Sequence, residues 1–283
     1  MTPRQAATRL RDAETRTVLL DGAEIVYREV GASDGIPLVA LNHLAANLDN
    51  WDPRIIDPLA ADRRVILIGY RGVGRSGGRV RTSIEEMAAD AIAATRELGL
   101  DRFDLFGQSM GGMVAQEIVA QQPGLVDRLI LASSAPAGGP QVVDMTRTML
   151  LGILRAALDR TNATASLFFT RTAGGTQAGR EYLASLRERV TDRDTAVSPR
   201  VLRAQLAAVH RWGQRPRAGQ SPFTGPVAIL HGDSDRMIPV ANATALAKVF
   251  PAASVTVFPD SGHGVVFQHH LDVVVSARAF LRR

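Results

Sequence analysis

Cysteine is absent from all 283 residues. That excludes disulfides, thiolate nucleophiles and cysteine-based metal sites. Lysine is nearly absent too: Lys248 stands alone, so almost all positive charge is arginine. No run of 18 apolar residues occurs, so no membrane-spanning helix and no membrane partner are expected. The opening Met-Thr-Pro-Arg-Gln-Ala-Ala-Thr-Arg has no apolar core like that of a signal peptide, and the expected location is cytoplasmic. Aromatic residues are scarce, and none interleave with a basic block. The formal net charge of +5 is spread over scattered arginines, so nucleic acid is not an expected partner. Internal repeats and low-complexity segments are also missing.

What the chain does have is 46% apolar residues, enough for one large domain or a core with an insertion. Residues 1–16 are polar and read as a frayed start. Thr17–Leu20 and Glu24–Val30 flank Asp21-Gly22, a hairpin signal. Short apolar runs at Leu38–Leu41, Arg64–Ile68, Arg102–Phe106, Arg128–Ala132, Val227–Leu230 and Ser254–Phe258 read as strands. Helical patterns alternate with them at Asn50–Ala61, Ser83–Leu98, Met110–Gln121, Asn242–Val249 and Val265–Leu281. Ser83 and Glu86 suit a capping box, and Gly99 a helix stop. Such alternation predicts an α/β fold with a mostly parallel sheet covered on both faces. Between residues 141 and 221 the alternation stops. Only helical patterns remain there: Val142–Leu158, Ala163–Phe169, Gly179–Val190 and Pro199–Trp212.

The chemistry centres on Gly107-Gln-Ser-Met-Gly111, with a strand before it and a helix after it. That is the setting of a nucleophile elbow, a turn tight enough to require glycine at 107 and 111 and to hold Ser109 strained at a pocket mouth. Serine needs a base, and the base needs a third group to orient it. His263 lies in Pro259-Asp-Ser-Gly-His-Gly264, a loop able to overhang the sheet edge. His269 and His270 are expected to be exposed, His231 to pack or bond locally, and His210 belongs to the helical segment. Of two candidate acids in His231-Gly-Asp-Ser-Asp235, Asp235 has room to bend back to the imidazole. Asp233 suits a turn that bonds its own backbone.

The order Ser109, Asp235, His263 resembles the α/β-hydrolases, as do His231-Gly-x-x-Asp235 before Pro239 and Gly262-His263. The resemblance implies an α/β-hydrolase fold: an eight-stranded, mostly parallel sheet with helices on both faces and a helical lid after the sixth strand. The implied core is 1–140 with 222–283, and the implied cap is 141–221. Leu41-Asn-His-Leu-Ala-Ala-Asn-Leu-Asp-Asn-Trp-Asp-Pro53 is similar to the matching stretch of 3-oxoadipate enol-lactonases. By that similarity Leu44 and Met110 supply the N–H groups of an oxyanion hole. His43 then stands where glycine is usual. Gly69-Tyr-Arg-Gly-Val-Gly-Arg-Ser76 resembles the family's Asp-x-Arg-Gly-x-Gly-x-Ser with its leading Asp replaced, so a local change is expected.

The implied activity is hydrolysis of a small carboxylic ester or lactone through an acyl-enzyme. A carbon–carbon bond hydrolase, a cofactor-free haloperoxidase or perhydrolase, and a small-molecule receptor on the same scaffold remain as alternatives. No cofactor is expected, and no metal, since His269-His270 with Asp272 make no ligand set. A homo-oligomer stays open. The expected substrate contacts are His43, Gln108, Met145, Phe168 and Trp212. The lid's inner face is expected to come from Met145, Met149, Leu154, Phe168, Phe169, Leu206 and Trp212. Residues 141–220 carry 13 Arg against 6 Asp/Glu, a surplus of seven, which leaves the rest of the chain near −2. That surplus suits either a solvated surface or attraction of anionic substrates.

Overall fold

The computed structural model describes residues 9–31 and 35–282. Residues 1–8 of the expected frayed start lie outside them. From Leu10 onward the segment is packed, not frayed. Leu10 and Ala13 are buried, and the Leu10 N–H donates to Asp57 Oδ1 at 2.7 Å. An apolar residue within a polar stretch was enough to pin it.

Arg16–Leu20 (β1) and Ala23–Val30 (β2) make the expected hairpin. Asp21 and Gly22 have φ of 48° and 76°, the left-handed pair that a tight two-residue turn uses. Leu38–Leu41 (β3) leads to Pro53–Ala60 (α1), capped by the Asp52 carboxylate, and then to Val65–Ile68 (β4). The helix expected from Asn50 starts later because Asp52, not Asn50, accepts the first free N–H groups. Ile84–Glu97 (α2) has Ser83 as its N-cap; Glu86 reaches back to the Ser83 hydroxyl and the Thr82 N–H. Phe103–Gln108 (β5), Met110–Gln121 (α3) and Val126–Ala132 (β6) follow.

Four helices then intervene: Met145–Leu158 (α4), Ala163–Phe168 (α5), Ala173–Ser185 (α6) and Pro199–Gln214 (α7). Helix α6 is displaced towards the N-terminus from the expected Gly179–Val190. Thr172 caps it, and Arg189 beyond its end is turned into a buried ion cluster. Val227–Gly232 (β7), Ala241–Val249 (α8) and Ser254–Phe258 (β8) resume the alternation. The single final helix expected is two, Val265–Gln268 (α9) and His270–Leu281 (α10), broken where His269 leaves helical geometry.

The eight strands form one sheet in the order β1-β2-β4-β3-β5-β6-β7-β8. Pairings β1/β2 and β2/β4 are antiparallel, and all others are parallel. Every residue of β3, β4, β5 and β7 is buried, which requires helices over both faces at the sheet's centre. Helix α1 packs with α10, and α2 with α3. Parallel pairing brings the carboxyl ends of β3, β5, β6 and β7 to one edge, where open α/β sheets carry their ligands.

Charge ties the helical segment to that frame. Arg189 and Arg193 both pair with Asp49, which also holds the fully buried Arg28 at 2.7 Å. Arg215 pairs with Glu85 at 2.6 Å and with Glu117 at 3.3 Å. Part of the arginine surplus of 141–220 is thus matched to carboxylates of α2, α3 and the loop before α1. At Gly69, a side chain would meet Val26 and the Ser76 hydroxyl at about 3 Å. Ser76 Oγ there accepts the Val26 N–H, which is the local form of the departure noted at this position.

Candidate active site

Strand β5 ends at Gln108, and the chain turns at once into α3. Ser109 sits in that turn with φ 53° and ψ −118°, a strained conformation for a side chain with a Cβ. A Cβ on Gly107 would lie 2.5 Å from the Gly111 carbonyl, and one on Gly111 would run into the Leu41 carbonyl. Neither position admits anything but glycine. The Ser109 N–H donates to Ala132 O at 2.8 Å, and its carbonyl accepts from Gly112 N–H and from Ser134 Oγ at 2.9 Å. The strain is held from both sides.

The loop after β8 carries His263 to this turn. Ser109 Oγ lies 2.8 Å from His263 Nε2, and His263 Nδ1 lies 2.8 Å from Asp235 Oδ2. The carboxylate accepts only, so Nδ1 carries the proton and Nε2 is left to accept from the serine hydroxyl. Asp235 Oδ1 is pinned by the N–H groups of Met237 and Ile238, both at 2.9 Å. All three side chains are buried. His231 packs beside them. Its Nε2–H donates to Ile238 O at 2.8 Å and lies 3.6 Å from Asp235 Oδ2, and burial lowers its pKa. Asp233, expected to bond its own turn, instead reaches across to the histidine loop. It accepts the N–H groups of Asp260 and Ser261, both at 3.2 Å, and so braces the histidine loop.

The loop after β3 faces the start of α3. Asn42 Oδ1 accepts the His43 N–H at 2.8 Å, and Tyr70 Oη–H donates to Asn42 O at 3.0 Å. Gln205 Oε1 of α7 accepts the Ala45 N–H at 2.7 Å, where Ala45 has a left-handed φ of 57°. Leu44 thus lies between two residues whose N–H groups are already engaged. Met110 opens α3 and has no acceptor within its own helix. His43 is buried. Its Nδ1–H donates to Leu44 O at 2.8 Å, while Nε2 has no partner among the described residues. Burial first, and the nearby His263 in addition, hold its pKa down to about 4.

The helical segment reaches the same place. Phe168, the last residue of α5, packs edge-on against both His263 and His43, at ring separations of 5.3 and 4.8 Å. It is held there by backbone: Gly264 N–H donates to Phe168 O at 2.7 Å. A side chain at Gly262 would collide with that same carbonyl.

A profile of the alpha/beta hydrolase fold matches residues 36–270. The chain belongs to the α/β-hydrolase fold family. A solved alpha/beta hydrolase fold protein from Chitinophaga pinensis is 29% identical, with a TM-score of 0.90 over 96% of this chain and 98% of that one. The pimeloyl-[acyl-carrier protein] methyl ester esterase of Nitrosomonas europaea is 29% identical over 81% of this chain and 89% of its own. The putative carbamate hydrolase RutD of Rhizobium rhizogenes is 33% identical over a shorter stretch, 38% of this chain and 41% of its own. The named esterases and hydrolases among its relatives make this an enzyme of the α/β-hydrolase family.

The remaining expected contacts of this hydrolase fall differently. Gln108 is fully buried, and neither end of its amide has a partner among the described residues. Met145 is buried at the start of α4. Trp212 is tied to the loop after β6: its indole N–H donates to Ala135 O at 3.1 Å, and Arg215 covers the ring. Leu154 is 58% exposed, so it does not belong to an apolar inner face. Helical spacing could not tell which side of α4 would meet the core. His269 and His270 are half-buried rather than exposed; the ring of His269 packs on Phe258 at 5.3 Å.

Three residues of the hydrolase escaped sequence reasoning. Gln205 gave no signal beyond being polar on an amphipathic helix. Arg236 follows Asp235 and donates to Ser166 O at 2.6 Å and Phe169 O at 3.3 Å, joining the acid loop to α5. Ser134 sits two residues beyond β6, and nothing local marked it. Among the described residues, no group of three His, Asp or Glu side chains could hold a metal, and no helix is long and apolar enough to cross a membrane.

Proposed function

We propose that this hydrolase cleaves a small carboxylic ester or lactone through a covalent acyl-enzyme. One observation carries the reading: the unbroken hydrogen-bond line from Ser109 Oγ through His263 to Asp235, buried at a strained elbow. Ser109 attacks the carbonyl carbon as His263 Nε2 takes its proton. Asp235 holds the imidazole in the right tautomer and stabilises the imidazolium that forms. The N–H groups of Leu44 and Met110 receive the negative oxygen of the tetrahedral intermediate; one such donor is worth about 3 kcal/mol in the transition state. His263 returns the proton to the departing alcohol. It then activates a water that releases the acid. Residues 141–221 act as the cap, and His43, Gln108, Met145, Phe168 and Trp212 are the side chains we assign to the substrate cavity.

The relatives' names support hydrolysis at a carbonyl carbon, with an ester and a lactone among the bonds named. One is named for a methyl ester and one for a carbamate, and a solved structure of the same fold is titled an N-acyl homoserine lactone degrading enzyme. A non-heme chloroperoxidase of Streptomyces lividans, 27% identical, favours a second reading in which peroxide replaces water at the acyl-enzyme. A fluorophosphonate probe should label Ser109, and chromogenic short-chain esters should show a burst of one equivalent followed by turnover. Labelling elsewhere, or no burst and no turnover, would reject the proposal.

A further inference from the structure

His43 stands where the resemblance to other hydrolases leads one to expect glycine, and its chemistry is decided by its partners. A carbonyl oxygen can only accept, so the 2.8 Å contact with Leu44 O assigns the ring proton to Nδ1. The neutral ring then presents a bare lone pair at Nε2. Burial supports the neutral form, holding the pKa down to about 4. Nε2 is shielded from solvent and has no donor among the described residues. The residue as a whole is 4% exposed. An unsatisfied acceptor in such a place costs about 1–3 kcal/mol unless something donates to it.

Its position says what could donate. His43 directly precedes Leu44. Phe168 lies against His43 and His263 alike, so the two imidazoles flank one ring, with Ser109 Oγ beyond the second. Ala45, on the other side of Leu44, is clamped by Gln205, so the loop cannot readily turn the imidazole away. Phe267 closes another side at 6.4 Å with an apolar ring and offers no hydrogen.

We infer that His43 Nε2 is a specificity-determining acceptor, and that the preferred substrates are esters or lactones whose acyl part bears a hydroxyl or amide N–H close to the scissile carbonyl. The inference rests on the hydrolase reading of this site and adds the substrate class to it. A donor on the acyl part satisfies Nε2 while the carbonyl oxygen faces the N–H groups next to it. An acyl part with a methyl group in that place leaves Nε2 buried and unmatched. The discrimination comes from the acceptor the wrong substrate strands more than from any contact the right one gains.

The test uses matched pairs of phenyl esters. Phenyl 2-hydroxypropanoate is compared with phenyl 2-methylpropanoate, and the phenyl ester of N-acetylglycine with that of its N-methyl analogue. The intact protein is compared with His43→Phe, which keeps a ring without the acceptor, and with His43→Gln, which can present an amide oxygen. The kcat/KM ratio of the donor ester to its partner should be roughly 10- to 100-fold larger in the wild type than in His43→Phe. His43→Gln should recover part of the difference. Comparing ratios between proteins cancels the intrinsic reactivity of each ester. Equal ratios in all three proteins would overturn the inference; they are also the result if only an ordered water occupies Nε2.

Binding to Ser109→Ala, with and without His43→Phe, separates the two readings, because it needs no turnover. Tighter binding of each donor ester, lost in Ser109→Ala/His43→Phe, supports the inference even if the wild type cleaves none of the four. Cleavage of all four with no dependence on His43 leaves the hydrolase reading standing and removes this one.

Discussion

Gln205 accepts the Ala45 N–H at 2.7 Å, so a helix of the 141–221 segment holds the loop that carries His43 and Leu44. The two residues are 160 positions apart, and Gln205 is fully buried. The bond steadies a left-handed alanine beside an N–H that we assign to the oxyanion. It also ties the helical segment to the loop that we assign to the oxyanion hole.

Cutting that bond should therefore act on rate. Gln205→Met keeps the volume and removes the acceptor. We expect kcat to fall by about 10- to 100-fold, part of what a lost oxyanion donor costs, with a smaller change in KM. The melting temperature should drop only by the worth of about one hydrogen bond, near 1 kcal/mol. Steady-state kinetics beside a thermal melt will decide; a large loss of stability with unchanged kcat would make Gln205 structural only.

For the nucleophile, Ser109→Ala should lower turnover by about 10⁴ or more and abolish fluorophosphonate labelling. Alanine keeps the turn but leaves buried His263 Nε2 without its donor, so circular dichroism should match the wild type and the melting curve should fall by no more than about 1–3 kcal/mol. Residual activity near the wild-type level would mean that another residue attacks.

For the acid, Asp235→Asn should lose up to about 10⁴ in kcat, because the amide favours the wrong His263 tautomer. Asp233→Asn keeps an oxygen for one of the two N–H groups, leaves the contact between Asp235 and His263 untouched and should be mild. Asp233→Ala removes the brace on the histidine loop and should fall between the two. Kinetics of the three variants give the ranking directly, and a reversed order of the two Asn variants would reassign the acid.

The pH dependence of stability has a component set by His43. Its folded pKa of about 4 lies below the ordinary 6.5, so between those values the unfolded chain binds a proton that the native state refuses. Stability should fall as pH drops from 6.5 towards 4, by up to about 3 kcal/mol from this group. Buried His231 acts in the same direction. Asp104 acts oppositely: burial pushes its pKa up to about 6, so its contribution falls as pH rises through the same window. The informative quantity is the wild type minus His43→Leu. Melts from pH 4 to 7 should show the wild type losing more stability than the variant on acidification, and parallel curves would refute the assignment.

Phe168, at the end of α5, brings the helical segment against both His43 and His263. Phe168→Ala should raise kcat/KM for bulky acyl esters relative to acetate esters, at a stability cost of about 3–5 kcal/mol. A Phe168→Leu variant keeps enough core to be measured if the alanine form is unstable. An unchanged ester profile in both would place the acyl group elsewhere.

Much of this was legible in the chain because it is local. Short apolar runs bounded by turn residues and alternating with helical patterns read as buried strands of a parallel sheet. Glycine at 107 and 111 reports a turn that admits no Cβ, and the spacing of strand, serine and helix marks Ser109. Asp21-Gly22 specifies its hairpin through backbone conformation alone. Loop position was enough to single out His263 and Asp235, and the fold brings His263 within hydrogen-bond distance of Ser109 and Asp235 within that of His263.

What local pattern could not decide was orientation and distant pairing. Leu154 has helical spacing like Met149, yet one is exposed and the other buried, because only packing chooses the side of α4 that meets the core. Residues 10–15 looked frayed until Leu10 found Asp57 and α1. Gln205 and Arg236 carry no motif, since their partners are backbone groups on other elements and any polar side chain of the right reach would look the same in sequence. The lone pair on His43 is likewise a tertiary fact. The sequence determined which residues can do chemistry; the tertiary structure decided which of their atoms are left without partners, because hydrogen bonding is settled by distance through space, not by distance along the chain.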